Sequence, residues 1–69
     1  MSYEQEILDL KDGECFIVPE SDYGKAEIWL KHDIYFLFEI PLYGGEPIFH
    51  NSYPKHLIKE MINTINAWT

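Results

Sequence analysis

The stretch Ile34-Tyr35-Phe36-Leu37-Phe38-Glu39-Ile40 decides the fold. Its residues are β-formers, and they alternate with a period of two: Ile34, Phe36, Phe38 and Ile40 on one face, Tyr35, Leu37 and Glu39 on the other. Such a segment is the centre of a sheet. Upstream, Lys25 to Lys31 is a second strand, and the loop between them sets which faces match. A two-residue loop, His32-Asp33, would put Leu30 opposite Tyr35 and Trp29 opposite Phe36. A three-residue loop, Lys31-His32-Asp33, sets Leu30 opposite Ile34, Ile28 opposite Phe36 and Ala26 opposite Phe38, and so collects one wholly apolar face. The pattern therefore predicts the three-residue loop, with Asp33 in the left-handed region. The expected core face is Ala26, Ile28, Leu30, Ile34, Phe36, Phe38 and Ile40, and the expected open face is Glu27, Trp29, Tyr35, Leu37 and Glu39.

Downstream, Pro41 marks a strand near a sheet edge, and Tyr43-Gly44-Gly45-Glu46 reads as a tight turn before a short return over 47–50. Counting outward from the glycines sets Ile40 opposite Phe49 and Glu39 opposite His50. The segment 54–68 is the clearest helix: Leu57, Ile58, Met61, Ile62, Ile65 and Trp68 fall within an arc of about 140°, and polar residues fill the rest. That stripe must be buried, and the sheet is what it can lie on.

Towards the N-terminus, Glu14 to Val18 is a strand closed by Pro19, with Cys15 expected as a small core residue. Residues 20–24 form a loop. Segment 3–11 carries helix signals: Ser2 with Gln5 three residues on, Glu4 and Glu6 in the first turn, Lys11 in the last and Gly13 beyond it. Asp12-Gly13 also suits a hairpin that would make the segment a strand, and capping favours the helix. The expected architecture is α+β: a small antiparallel sheet of three to four strands, about 14–18, 25–31, 34–41 and 47–50, with a C-terminal amphipathic helix, about 54–68, on one face.

At 69 residues the chain is expected to be a single small domain, close to the size at which one core is marginal and a partner subunit helps. Its single cysteine rules out an internal disulfide framework, and neither a signal peptide nor a membrane span is visible, so a cytoplasmic location is expected. The net charge of -7 is uneven. Glu4, Glu6, Asp9, Asp12, Glu14, Glu20 and Asp22 stand against Lys11 alone in the first 22 residues. All five basic residues are lysine, so the side chain best suited to phosphate and guanine contacts is missing, and direct nucleic-acid binding is disfavoured.

No phosphate-cradling loop, dinucleotide fingerprint, His-Glu-x-x-His or Cys-x-x-Cys is present, so no cofactor or metal is expected. His32 reads as a turn residue and His56 as a solvated helix residue. Three functional readings follow. The foremost is a non-enzymatic protein–protein interaction module, with a homodimer as one form, using the open face around Trp29, Tyr35, Leu37, Glu39 and His50. The second is an inhibitor whose acidic first third mimics nucleic-acid phosphates. The third is a small enzyme or ligand binder in which Glu39 orients the His50 imidazole beside Tyr35.

Overall fold

The computed structural model describes residues 3–19, 25–41 and 45–68. The chain opens with a short helix, α1 (Glu4–Leu8), followed by β1 (Cys15–Val18), β2 (Ala26–Lys31), β3 (Ile34–Glu39) and β4 (Ile48–Pro54). A 3-10 turn (Lys55–Leu57) then leads into α2 (Ile58–Ala67). The four strands form one antiparallel sheet in the order β1-β2-β3-β4, so every neighbour in space is a neighbour in sequence. This is an α+β fold, and the N-terminal segment is helical over Glu4–Leu8 only, shorter than the expected 3–11: Glu4 and Glu6 stand in its first turn as expected, but Tyr3 is its N-cap without a side-chain cap, Lys11 lies beyond its last turn, and Ser2 lies outside the described residues.

The register of β2 on β3 differs from expectation by one residue. Leu30 pairs with Tyr35, Trp29 with Phe36 and Ile28 with Leu37, so the loop is His32-Asp33 alone. Both residues have positive φ, 54° and 62°. Two successive left-handed residues make the turn whose twist matches that of the flanking strands, and His and Asp are among the side chains that tolerate it. Distant groups hold it in place. The Asp12 carboxylate accepts the His32 N–H at 2.6 Å, Gly13 N–H donates to Leu30 O at 2.7 Å, and Lys55 N–H donates to Asp33 O at 3.0 Å. A shift of one residue exchanges the faces of a strand. Tyr35 and Leu37, expected on the open face, are therefore fully buried, while Ile34, Phe36 and Phe38, expected in the core, point the other way.

The core consists of Val18, Ala26, Ile28, Leu30, Tyr35 and Leu37 from the sheet, Ile7 from α1, and Ile58, Met61 and Ile65 from α2. Of the rest of the expected stripe, Ile62 and Trp68 are half-buried against it, and Leu57 is half-buried. Both helices thus cover the same face. Two side-chain hydrogen bonds join the sheet to the helices, Tyr35 Oη donating to Ile7 O at 3.4 Å and Tyr53 Oη donating to Thr64 Oγ1 at 3.2 Å, and a third joins the two helices, Tyr3 Oη donating to Asn66 Oδ1 at 2.9 Å. Among the described residues, no buried side-chain polar atom lacks a partner.

β4 is longer than the expected 47–50, because Asn51 to Pro54 continue pairing with Leu37 to Ile34. The pairing jumps between Leu37↔Asn51 and Phe38↔Phe49, which leaves His50 as the extra residue of a bulge. Phe49 consequently opposes Phe38 rather than Ile40, and Glu39 opposes Ile48 rather than His50. Of the expected loop 20–24 and the Gly44-Gly45 turn, residues 20–24 and 42–44 lie outside the described residues, and Gly45 has the positive φ, 117°, that such a turn requires. Among the described residues, no helix is long and apolar enough to cross a membrane.

Candidate functional site: the open face of the sheet

With both helices on one side, no described helix or strand lies over the other side of the sheet. Its side chains follow from the register: Cys15 and Ile17 on β1, Glu27, Trp29 and Lys31 on β2, Ile34, Phe36 and Phe38 on β3, and Phe49 on β4. Ile17 is 42% exposed, Trp29 39%, Ile34 37% and Phe49 54%, and Phe36 and Phe38 are half-buried between them. Given the full area of such side chains, the exposed apolar surface comes to roughly 400 Å², within the range of the largest patch on a typical monomer, one that is often functional. Cys15, expected in the core, is exposed on this face.

The patch has internal order. Trp29 Nε1–H donates to Glu27 Oε1 at 2.6 Å, which pins the indole along the strand and satisfies its one polar atom. Phe38 and Phe49 meet edge to face, with ring centres 5.5 Å apart at 70°. An open groove of about 400 Å³ is lined by Gly13, Trp29, Leu30, Lys31, Phe36 and Phe38. Large apolar rings and a single pair of opposite charges make this a surface suited to apolar contact. Among the described residues of this face, no nucleophile is hydrogen-bonded to a base.

The residues expected to form a site are distributed as follows. Trp29 is on the open face. Tyr35 and Leu37 are in the core, and burial pushes the Tyr35 phenol above its ordinary value of 10.0, as it does for Tyr3. Glu39 is exposed at the end of β3 on the helix-covered side of the sheet, the side shared by Tyr35 and Leu37. The His50 imidazole meets the Trp68 indole edge to face, 5.0 Å between centres at 80°. Glu39 and His50 are therefore not brought together, and no acid–base pair forms.

The acids of the first third are partly used by the fold. Asp12 holds the β2–β3 turn, Glu14 Oε1 accepts the Lys11 N–H at 2.8 Å, and Asp9 Oδ1 accepts Gln5 Nε2–H at 3.0 Å. Glu4 and Glu6 lie on α1, on the side away from the open face, and Glu20 and Asp22 lie outside the described residues. Among the described residues, no group of three His, Cys, Asp or Glu side chains could hold a metal ion.

Sequence reasoning missed Ile17, Ile34, Phe36, Phe38 and Phe49 as members of this face. The signal that could have found them is the pair His32-Asp33, two side chains that both accept the left-handed region, with Asp12 available to cap them. Comparison of the chain with protein-family models, with curated proteins and with solved structures finds no match in any of the three.

Proposed function

We propose that the protein is a non-enzymatic protein–protein interaction module whose contact surface is the open face of the sheet. The observation that supports this most is the placement of the apolar side chains. Three aromatic rings and Ile34 occupy a face that no described helix or strand covers, in a chain that buries Tyr35 and Leu37 instead. Leaving the exposed parts of Ile17, Trp29, Ile34 and Phe49 in water forgoes several kcal/mol of burial, and a partner that covers them recovers it. At the usual non-polar share of an interface, roughly 400 Å² of apolar surface corresponds to about 700 Å² buried per partner, the size class of specific complexes. Trp and Phe at the centre are also the residue types enriched in such surfaces. The nucleic-acid-mimicking reading has less support, since Asp12 and Glu14 are tied into the fold.

Photo-crosslinking tests the proposal. A benzophenone side chain placed at Phe36 and, as control, at Glu6 is irradiated in cells that express the full chain. The expected result is a protein adduct of discrete mass from position 36, lost when Trp29→Ala is added, and none from position 6. Absence of any protein adduct at position 36 would overturn the proposal.

A further inference from the structure

The charges on the open face are ordered along β2. Glu27 and Lys31 stand two residues to either side of Trp29 on the same face, and in sequence Lys25 and Asp33 follow two residues further out. Reversing the strand about Trp29 therefore exchanges every charge for its opposite. A second alignment runs across the strands: Cys15 pairs with Trp29, Trp29 with Phe36 and Phe36 with Ser52, so these four residues form one row across the sheet. None of the four is an acidic or a basic residue.

We infer that the open face binds a second copy of this chain, face to face, about a two-fold axis that lies along the Cys15-Trp29-Phe36-Ser52 row. The inference rests on the open face being a contact surface, and it names the occupant. Rotation about this axis lays β2 on the partner's β2 in the reverse direction and β3 on the partner's β3. Residues on the row meet their own copies, as in any isologous interface, and a row without acidic or basic residues is what this requires. Off the row, Glu27 meets Lys31 of the partner subunit, Lys31 meets Glu27 of the partner subunit, and Ile34 meets Phe38 of the partner subunit. The other in-plane axis, along β2, would set Glu27 on its own copy and Lys31 on its own copy, two like-charge contacts, and is disfavoured. The seven-unit negative charge of each chain does not oppose the contact locally, because on the strands of this face Glu27 and Lys31 cancel.

The test is the solution mass of the full chain in reducing buffer at one fixed, low ionic strength. It is measured across a dilution series for the wild type, Glu27→Lys, Lys31→Glu, the variant carrying both changes, and an equal mixture of the two single variants. The wild type is expected at twice 8.2 kDa, dissociating on dilution. Each single change turns two attractive contacts into two repulsive ones and should weaken the dimer about tenfold. The double change, and the mixture of singles, restores opposite charges at both contacts and should recover the wild-type value. On the wild type, a bis-maleimide linker spanning the roughly 10 Å between packed sheets should join two copies through Cys15. Should Glu27→Lys fail to fold, this crosslink decides the matter. A wild type that is monomeric throughout overturns the self-pairing, and an adduct to a different protein from position 36 would then keep the contact-surface proposal standing alone. A dimer whose charge swap does not recover, or that Cys15 fails to crosslink, overturns the two-fold arrangement.

Discussion

The two faces of this sheet are nearly equal in apolar content and opposite in fate. One carries Ala26, Ile28, Leu30, Tyr35 and Leu37, each at most 3% exposed beneath α1 and α2. The other carries Ile17, Trp29, Ile34, Phe36, Phe38 and Phe49 with no element of the described chain above it. Hydrophobicity alone does not distinguish them. What does is the His32-Asp33 turn, which selects the register and so decides which set of side chains the helices cover. The larger rings end up outside. A chain this small gains little from leaving aromatic surface in water, and a conflict between local preference and final placement is where function is to be sought.

The sharpest way to break the contrast is to truncate one residue on each face. Leu37→Ala removes a fully buried side chain and should destabilise the protein by about 2–5 kcal/mol, enough at this size to abolish cooperative unfolding seen by circular dichroism. Phe36→Ala, one residue away on the open face, should reduce the stability of the isolated chain by only about 1 kcal/mol, measured by denaturant unfolding at high dilution. Equal losses at the two positions would mean that the faces are not distinct.

Next in size are the groups that set the register. Asp12→Ala leaves the His32 N–H without its acceptor and should cost about 1–2 kcal/mol. Replacing His32-Asp33 by Asn-Gly relieves two left-handed side chains and should stabilise by up to about 1 kcal/mol, raising the melting temperature. A destabilised Asn-Gly variant would argue for a different loop.

The smallest effect distinguishes the faces by pH. Burial holds the Tyr35 and Tyr3 phenols neutral and raises both above 10.0, so their contribution to stability is intact below pH 10 and is lost as pH rises through the raised values. Unfolding free energy should therefore fall on the alkaline side. Tyr35→Phe should flatten that fall while changing stability near neutrality little, since its 3.4 Å bond to Ile7 O is long.

Much of this architecture is legible from sequence, because local signals carry it. The 3.6-residue period from Leu57 to Trp68 and the β-formers of Ile34 to Ile40 each identify one element, and the acidic first turn of segment 3–11 identifies another. The register was only weakly legible, because the local signal is the His32-Asp33 pair alone and the contacts that hold that turn join distant parts of the chain. Asp12 reaches His32 across twenty positions, and Lys55 closes the turn from the far end of β4. β3 is apolar on both faces, so composition alone could not choose between them. The Glu39–His50 pair failed for a separate reason, the bulge that takes His50 out of register and turns its ring towards Trp68. The candidate site was half legible: Trp29 is on it by sequence and by structure, while its neighbours changed with the register.

The division of labour between the faces is tested most directly by the variant Trp29→Ala, Phe36→Ala, with solution mass and thermal unfolding measured on the same samples across a dilution series. The predicted result is wild-type secondary structure, cooperative unfolding at a temperature that no longer depends on concentration, and a mass of 8.2 kDa where the wild type shows twice that value. A variant that unfolds, or one whose mass tracks the wild type at every dilution, would contradict it.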